Sequence, residues 1–336
     1  MIRAAIVGLG RWGRNLVSSV KGSDKIRFVA AVARDRGKAL FFSRENQLEI
    51  HDSYEKILTD GLIDAVVLAT PHTLHAGQVI AAAKAGKHVF TEKPFTLTSA
   101  SAAEAVRECA RAGVTLAVGY NWRFQPALVE IRRMLADGRL GKLLHIEGNF
   151  CGSSVYRFEA AHWRQDRGEG PAGGMTGRGV HLVDAMLFLG GRIASVRAQS
   201  KRLVHDYGID DTTSMLFEFA AGATGYLGTV IATAETWRLQ VFGSKGWAEV
   251  AGIEHLGTWP LRFCPVDQGN PFVTPKVQTM TFQALSTERA ELEHFADAAA
   301  ARRPLAAAGG DELHGVEVFE AIVESATRQA TVRIGS

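Results

Sequence analysis

A glycine-rich stretch close to the start of the chain has the spacing of a dinucleotide-binding loop. Gly8, Gly10 and Gly13 form the pattern G-x-G-x-x-G between an apolar, strand-like segment and a helix-compatible one. In such a loop the first glycine makes a tight turn, the second lets a pyrophosphate approach the backbone, and the third allows close helix packing. The N–H groups at the helix N-terminus then bind the phosphates. We therefore predict a dinucleotide site that also includes Arg11 and Trp12.

The end of the second predicted strand decides which dinucleotide fits better. An NAD site usually has an acidic residue there, which accepts hydrogen bonds from the ribose hydroxyls. Here Ala33 takes that place and Arg34 follows, so a guanidinium is available for a 2′-phosphate. We therefore expect NADP, with Arg34 as its phosphate contact. NAD stays the alternative, because Asp35 could turn inward to the ribose or the whole charged stretch could be a solvated loop.

Further polar residues follow the other strands predicted for the first third of the chain. The carboxyl ends of parallel strands meet at one edge of the sheet, where the ligands of open α/β sheets bind. The residues after the third and fourth strands are expected to contact the cofactor: Thr70, Pro71, His72, His75, Glu92 and Lys93. The residues after the fifth strand are expected to contact the substrate: Tyr120, Asn121 and Arg123.

The elements that carry these residues follow from an alternation of short apolar and helix-compatible segments. Strands rich in Val, Ile and Ala are predicted at 4–7, 27–33, 64–69, 87–91 and 114–119. Helices are predicted between them at 13–20, 36–45, 74–85 and 99–112. This alternation is typical of βαβ units with a parallel sheet. It predicts a Rossmann dinucleotide-binding domain over residues 1–121.

Beyond residue 121 the pattern changes to longer alternating segments. Strands are predicted at 143–151, 195–203, 214–220, 224–232, 238–242 and 248–250, and helices at 126–137, 288–301 and 311–330. Alternation of this kind is typical of an antiparallel sheet with one covered face. The predicted fold class is α/β, with a second, α+β domain over residues 122–336 that has a mainly antiparallel sheet.

The composition limits the classes of protein and of partner. Over 336 residues there are 38 basic and 35 acidic side chains, so the formal charge is only +3. Such a small surplus argues against nucleic acid or an anionic membrane as partner. Cys109, Cys151 and Cys264 lie far apart without metal-ligand spacing, so we expect no metal site. Without a secretory leader or an apolar stretch of about 18 residues, a cytoplasmic protein is expected.

The chain as a whole resembles the glucose–fructose oxidoreductase, inositol dehydrogenase and rhizopine catabolism family (Gfo/Idh/MocA). Besides the glycine loop, the matching motifs are Ala69-Thr70-Pro71 with His75, Gly86-Lys87-His88-Val89, Glu92-Lys93-Pro94, Gly119-Tyr120-Asn121, Trp163-Arg164, and Gly179-Val180-His181 with Asp184. The resemblance implies that the second domain has an open, mainly antiparallel sheet and binds the substrate, and that a homodimer or homotetramer forms through this sheet. It also implies hydride exchange between a nicotinamide cofactor and a small molecule with a sugar-like carbinol or carbonyl.

The same resemblance assigns roles to individual side chains. It places Lys93 beside the reacting oxygen, where an ammonium suits a developing alkoxide, and it implies a cis bond to Pro94. His181 becomes the acid and base, a role that imidazole suits near neutral pH. We expect the ammonium of Lys93 and the imidazole of His181 to meet at the face of the nicotinamide ring. The remaining substrate contacts that the resemblance implies are Trp163, Arg164 and Asp184.

One position departs from the family pattern. The family usually has an aspartate four residues before this histidine, where the present chain has Gly177. Four side chains could replace its polar function: Asp184, Asp166, His162 and Tyr120. Alternatively, the substrate does not need that function, or catalysis has been lost. The neighbouring Arg178 hints at an anionic group on the substrate, although an exposed arginine is the simpler interpretation.

Three hypotheses about function follow from these residues. The leading one is an NADP-dependent dehydrogenase or reductase for a sugar or polyol derivative. The second keeps the cofactor but takes a non-sugar substrate, such as a cyclic diol, a dicarbonyl or an imine, and Gly177 favours it. The third is a non-catalytic, dinucleotide-binding regulator. The presence of both Lys93 and His181 argues against the third, because a regulator needs neither.

Overall fold

The computed structural model describes residues 1–270, 272–273, 276–303 and 312–335, and the contacts of the chain form two compact units. The first unit comprises Met1–Asn121 and Ser286–Val316, and the second comprises Trp122–Leu285 and Glu317–Ser336. The change from one unit to the other after residue 121 is where the sequence analysis ends the first domain. The described residues between 286 and 316, which the sequence analysis assigns to the second domain, belong to the first unit.

The first unit contains a parallel sheet of six strands with helices between them. Its elements are β1 (Ile2–Val7), α1 (Arg11–Ser19), β2 (Ile26–Val32), α2 (Arg36–Glu45), β3 (Glu49–His51), α3 (Tyr54–Thr59), β4 (Ala65–Leu68), α4 (His75–Lys84), β5 (His88–Glu92), α5 (Ser99–Ala112) and β6 (Leu116–Gly119). The strand order is β3-β2-β1-β4-β5-β6, and every neighbouring pair is parallel. The predicted Rossmann domain is confirmed, and the carboxyl ends of its strands lie along one edge.

Local sequence signals explain where these elements begin and end. Every residue of β4 and β5 is buried, as expected for parallel strands that are covered on both faces. Helix α5 begins after Thr98, whose hydroxyl accepts the N–H of Ser101, and ends at Gly113 with φ of 65°. The sequence analysis missed β3 and α3. The three residues of β3 are all partly exposed, so they have no apolar pattern to detect.

The second unit is built on a nine-stranded sheet. Its elements up to residue 285 are α6 (Pro126–Ala136), β7 (Leu143–Cys151), α7 (Val180–Gly190), β8 (Ile193–Lys201), β9 (Thr212–Phe219), β10 (Thr224–Val230), β11 (Thr236–Gly243), β12 (Gly246–Gly252), β13 (Leu261–Pro265) and β14 (Gln278–Met280). Strands β7 and β10 are parallel, whereas the other neighbouring strands are antiparallel. The predicted α/β class with a mainly antiparallel second sheet is confirmed.

Two late helices and a short strand complete the chain. Helix α8 (Thr287–Ala300) belongs to the first unit, where Leu292 and Phe295 join the core beneath β1 and β2. Helix α9 (Glu312–Arg328) is divided between the two units after residue 316. The predicted start of this helix, residue 311, lies outside the described residues. Strand β15 (Val332–Arg333) pairs with β8 at one end of the second sheet.

Helix α7 covers one face of the second sheet. Alternate residues of β7 are buried, and a Cβ on Gly148 of that strand would lie 3.2 Å from Leu182 of α7. Nearly every residue of α7 is buried, which is typical of a helix embedded in a core. His181 and Asp184 are therefore buried polar side chains on an otherwise apolar helix, and each needs a specific partner.

The described part of the chain contains neither a helix suited to cross a membrane nor a cluster of metal ligands. There, no helix combines the length and the apolar character that crossing a bilayer demands. Nor do three or more His, Cys, Asp or Glu side chains of these residues come together as ligands for a metal ion. The three cysteines are buried thiols that form no disulfide.

Candidate active site

The glycine loop packs against the sheet as its spacing predicts. Gly8 has φ of +102°, and a Cβ on it would lie 2.5 Å from the carbonyl oxygen of Ala69. A Cβ on Gly13 would lie 2.0 Å from the carbonyl oxygen of Gly8, so neither position accepts a side chain. No atom lies within 4 Å of a Cβ on Gly10, which is the N-cap of α1 and makes no side-chain hydrogen bond. The first N–H groups of α1 are thus accessible to a phosphate, as a dinucleotide requires.

The segment after β2 has one acidic side chain among basic ones. Asp35 is the N-cap of α2, and its carboxylate accepts the backbone N–H of Lys38 at 3.1 Å. This hydrogen bond lowers the pKa of Asp35. Arg34 and Arg11 are exposed, and neither has a side-chain hydrogen bond or ion pair with any described residue. The acidic group therefore stabilises a helix, whereas the two guanidinium groups are available to a ligand.

The turn after β4 is tied to the segment after β5 by a histidine. Pro71 and His72 begin a short 3₁₀ turn that leads into α4. His75 opens α4 and is fully buried. Its Nδ1 lies 2.9 Å from the carbonyl oxygen of Pro94, and its Nε2 lies 3.1 Å from that of Thr70. The imidazole ring therefore spans the space between these two backbone segments.

The Glu-Lys-Pro segment follows β5 at the same sheet edge. The buried carboxylate of Glu92 accepts the indole N–H of Trp12 at 2.5 Å. Burial raises the pKa of Glu92 to about 7, although the charge of Lys93 and the Trp12 hydrogen bond both lower it. The backbone N–H of Lys93 donates to the second oxygen of Glu92 at 3.3 Å. Lys93 is half-buried, and its peptide bond to Pro94 is cis, as the resemblance implies.

Tyr120 and Asn121 follow β6 and are both buried. The amide Nδ2 of Asn121 donates to the hydroxyl of Thr287 on α8 at 3.1 Å. The amide oxygen of Asn121 is buried and has no hydrogen-bond partner among the described residues. A buried acceptor without a donor costs about 1–3 kcal/mol. This oxygen is therefore a place where a bound molecule can donate a hydrogen bond.

In the second unit, His181 lies in the first turn of α7 within a group of aromatic rings. Its ring stacks on the indole of Trp122, with centroids 5.3 Å apart and planes inclined by 19°. The ring of Phe150 lies 6.2 Å away, centroid to centroid. Trp122 in turn contacts Trp237 at 5.5 Å and Trp259 at 4.8 Å. We call Trp122, Phe150, Trp237 and Trp259 the aromatic cluster, and its packing fixes the plane of the imidazole.

Arg123 and Asp184, which the sequence analysis assigns to the substrate, bind each other. The Arg123 guanidinium donates to the Asp184 carboxylate through Nε at 2.9 Å and Nη2 at 2.7 Å. The two side chains are only 11% and 4% exposed. Burial raises the pKa of Asp184, and the charge of Arg123 opposes that rise. This bidentate ion pair anchors the face of α7 that also carries His181, and a substrate contact of either residue stays a prediction.

The position of the missing aspartate is open space. No atom lies within 4 Å of a Cβ on Gly177, which belongs to the π-helical turn Met175–Gly179. The expectation of an exposed Arg178 is wrong, because this side chain is only 15% exposed. Its guanidinium donates to the carboxylate of Glu235 at 2.7 and 3.0 Å and to the carbonyl oxygen of Cys151 at 2.9 Å. Arg178 is thus paired within the second unit with Glu235, a carboxylate that also pairs with Arg157.

Two of the polar side chains proposed as replacements for the aspartate, His162 and Asp166, have partners close to them in the sequence. Nδ1 of His162 accepts the backbone N–H of Arg164 at 3.1 Å. The carboxylate of Asp166 accepts the backbone N–H of Gly168 at 2.8 Å.

Trp163 is half-buried, and the Arg164 guanidinium lies 4.2 Å above its ring. Trp163 and Arg164 therefore form a cation–π pair, a surface suited to a sugar ring and its hydroxyls.

Several residues support the site without being predicted. Trp122 stands between the predicted Asn121 and Arg123, and its large ring in that motif was a signal that could have identified it. Gln78 accepts the hydroxyl of Thr70 at 2.6 Å, and Thr287 accepts the amide of Asn121. Asn121 and Thr287 are 166 residues apart, so their contact follows from the fold alone, whereas Gln78 lies only eight residues after Thr70.

Comparison with known proteins gives matches over most of the chain. A model described as an oxidoreductase family with an NAD-binding Rossmann fold matches residues 2–120, and the GFO/IDH/MocA C-terminal domain matches residues 128–249. A scyllo-inositol 2-dehydrogenase (NAD(+)) of Bacillus subtilis strain 168 is 32% identical over 323 residues, which cover 88% of this chain and 85% of the relative. A trans-1,2-dihydrobenzene-1,2-diol dehydrogenase of Bos taurus is 28% identical over 225 residues. This match covers 66% of this chain and 65% of the bovine protein.

Solved structures share the fold over nearly the whole chain. A levoglucosan dehydrogenase in complex with NADH and L-sorbose has a TM-score of 0.89 at 19% sequence identity. The match covers 100% of this chain and 99% of the levoglucosan dehydrogenase chain. An aldose-aldose oxidoreductase from Caulobacter crescentus has a TM-score of 0.87 at 24% identity, with 99% of both chains covered. At these identities the likeness establishes the fold alone.

Proposed function

This chain belongs to the Gfo/Idh/MocA family and is an NAD(P)-dependent oxidoreductase, and we propose that it transfers a hydride between NADP and a carbinol or carbonyl carbon of a sugar or polyol derivative. The observation that carries this proposal is Lys93, half-buried after β5 at the sheet edge where the glycine loop also lies. An ammonium at that edge can stabilise negative charge on a reacting oxygen. The relative named for inositol oxidation supports a polyol substrate.

The glycine loop fits the dinucleotide that the family requires. The N-terminus of α1 has no side-chain cap, and Gly10 leaves space for a pyrophosphate beside the backbone. Once bound, the nicotinamide ring accepts or supplies the hydride. Gly8 and Gly13 hold the loop against β1 and β4.

The choice of NADP rests on the charges after β2. The carboxylate of Asp35 is engaged at the N-terminus of α2, so it is not positioned as a ribose acceptor. Arg34 is exposed and without a partner among the described residues, which suits a 2′-phosphate. The B. subtilis relative is named for NAD(+), so the present chain would differ from that protein in its preferred cofactor.

Lys93 and His181 have complementary roles in the proposed chemistry. In the oxidation direction, the hydroxyl proton of the substrate would pass to His181, and the hydride would leave the carbon atom that carries this hydroxyl and pass to the oxidised nicotinamide. The Lys93 ammonium donates a hydrogen bond to the oxygen on which negative charge develops. Reduction uses the same groups in reverse, and the stack on Trp122 keeps the His181 ring in one plane. The amide oxygen of Asn121 can accept a hydrogen bond from a further hydroxyl of the substrate.

A cyclic diol is the second candidate substrate. Gly177 leaves the place of the family aspartate without a carboxylate, so one polar contact to a sugar hydroxyl is missing. The bovine relative is named for the oxidation of a cyclic diol with a hydrocarbon ring. A substrate with two hydroxyls and an apolar ring would need fewer polar partners than a hexose does.

We further propose that the enzyme is a cytoplasmic homodimer or homotetramer that associates through the second sheet. On the face opposite α7, charged side chains form a ladder across four strands: Glu147, Arg238, Glu249 and Arg262. Leu216 and Tyr226, which are paired across β9 and β10, are exposed on the same sheet. Exposed apolar side chains with polar neighbours are typical of an interface. Sedimentation equilibrium of the purified protein measures the number of subunits.

A substrate panel with a lysine variant tests the function. Purified protein is assayed with NADP and NAD against inositols, pyranoses and cyclic vicinal diols, following nicotinamide absorbance. We expect turnover with at least one polyol, and a loss of about 10²–10³-fold in kcat for Lys93→Ala at nearly unchanged NADPH affinity. The exposed Lys84 of α4 provides the control variant Lys84→Ala. Absence of turnover with the whole panel, or normal turnover of Lys93→Ala, would overturn the proposal.

A further inference from the structure

The segment that carries Lys93 has a polar contact on each side. Before it, the carboxylate of Glu92 accepts the indole N–H of Trp12. After it, the carbonyl oxygen of Pro94 lies 2.9 Å from Nδ1 of His75. Trp12 belongs to the glycine loop after β1, and His75 follows the turn after β4. Two separate loops of the first unit therefore contact the same short segment.

The contact of His75 with Pro94 is buried, and in the contact of Trp12 with Glu92 the carboxylate is buried while the indole is half-buried. Glu92 is 6% exposed and His75 is 0% exposed. A Cβ on Gly119 of β6 would lie 2.9 Å from Oε1 of Glu92, which shows how closely the carboxylate packs against the next strand. The second ring nitrogen of His75 lies 3.1 Å from the carbonyl oxygen of Thr70. A carbonyl oxygen can only accept a hydrogen bond. In a hydrogen bond with Pro94 or Thr70, the imidazole of His75 is therefore the donor.

We propose that Trp12 and His75 are positioning residues for Lys93, which fix the backbone before and after it. The inference rests on the proposed function of Lys93 beside the reacting oxygen. A lysine side chain is long and flexible, and a catalytic group must be held within about 0.5 Å of its productive position. Fixing the backbone on both sides sets the direction in which the side chain leaves the sheet edge. Neither residue needs to touch the substrate to have this effect.

This assignment changes the meaning of two residues that the sequence places among the cofactor contacts. If Trp12 and His75 acted mainly as cofactor contacts, their loss would weaken NADPH binding. As positioning residues, they act on the chemical step through Lys93, and their loss lowers kcat. The division of an effect between KM and kcat therefore separates the two roles.

The experiment compares three variants in the full-length protein loaded with NADPH or NADP. His75→Leu removes both ring nitrogens, His75→Gln retains one amide donor, and Trp12→Phe retains a ring but removes the N–H. We expect kcat to fall about 10–100-fold in His75→Leu and Trp12→Phe, because a displacement of about 1 Å has effects of that size. The KM for NADPH should stay within about threefold of wild type, and His75→Gln should recover part of kcat.

A second buried histidine at the opposite end of the same strand provides the matched control. His88 begins β5, is 8% exposed, and its Nδ1 accepts the backbone N–H of Thr115 at 3.0 Å. His88→Leu should leave kcat within about twofold of wild type, since it does not contact the Lys93 segment. An equal loss of kcat in His88→Leu and His75→Leu would overturn the inference. So would a loss in His75→Leu and Trp12→Phe that lies wholly in the KM for NADPH.

A chemical readout keeps the inference testable if the proposed function fails. With NADPH bound, the rate at which an amine-specific acetylating reagent modifies Lys93 is measured by mass spectrometry and divided by the rate at Lys84. We expect this ratio to change in His75→Leu and Trp12→Phe but not in His88→Leu. An unchanged ratio in all three variants would overturn the positioning role. A changed ratio in a protein without turnover on the substrate panel would retain the positioning role and reject the proposed reaction.

Discussion

Lys93 and His181 are held in place by different kinds of contact in the two units. Around Lys93 the contacts include hydrogen bonds to the neighbouring Glu92 and Pro94, of which the first is part-buried and the second buried. Around His181 they include ring contacts, among them the stack on Trp122. Hydrogen bonds depend on direction and protonation, whereas ring packing depends on shape and buried area. Variants around Lys93 should therefore change the pH dependence of the protein, and variants around His181 should mainly change its stability.

The largest effect is expected from the aromatic cluster. Trp122 is 1% exposed, so Trp122→Ala leaves a cavity beside His181 and should lower the free energy of unfolding by about 3–5 kcal/mol. Trp122→Phe retains a ring and should lose less. Urea denaturation measures both values. The half-buried Trp247 of β12 provides the control Trp247→Ala, and an equal loss there would show that the cluster has no special importance.

The second effect distinguishes the Lys93 region by its pH dependence. The raised pKa of Glu92, about 7 against an ordinary 4.5, means that the folded chain retains a proton that the unfolded chain releases between these pH values. Stability should therefore fall as pH rises from about 4.5 to about 7. Glu92→Gln removes this loss, and above pH 7 it should be more stable than wild type by up to about 3 kcal/mol.

Thermal unfolding of Glu92→Gln between pH 5 and pH 8 measures this effect. The gain over wild type should grow with pH across the range. Glu108→Gln provides the control, because the Glu108 carboxylate pairs with Arg111 on the surface of α5 and its pKa is lowered. The interpretation would be wrong if Glu92→Gln gave the same gain at both ends of the pH range.

The smallest effect on stability is expected for Arg34, which lies in the first unit. Arg34 has no partner among the described residues, so Arg34→Ala should leave stability unchanged. If Arg34 binds the 2′-phosphate, the ratio of kcat/KM for NADPH to that for NADH should fall about tenfold or more. Arg27→Ala, at an exposed position of β2, should leave the ratio unchanged. An unchanged ratio in Arg34→Ala would remove the case for NADP.

Much of the fold could be predicted because it depends on local signals. The bounds of α2, α5 and β7 agree with the prediction to the residue. For α5 the reasons are a threonine cap at its start and Gly113 at its end. The glycine loop was equally accessible, because each glycine in it has a geometric task that no other residue type performs.

The site was less accessible because its contacts join distant parts of the chain. Trp12 and Glu92 are 80 residues apart, and Arg178 and Glu235 are 57 apart, so no pattern in one sequence pairs them. The sequence analysis assigned helix α8 to the second domain, whereas the helix belongs to the first unit. The reason is the same, because the apolar residues of α8 could pack in either core. The meeting of Lys93 and His181 at one nicotinamide ring stays a prediction.

At Gly177, the charge of the side chain can be changed without a loss of folding stability, although mutations usually alter these two properties together. Its φ is outside the positive range, and no atom lies within 4 Å of a Cβ on it, so a larger residue fits without repacking. Glycine within a helix costs about 0.5–1 kcal/mol relative to alanine, so many replacements should retain or raise stability. Selection in nature or in the laboratory can therefore vary the charge ahead of α7 by a single codon. The polar contact that the resemblance implies at this position could therefore be restored at low risk to folding.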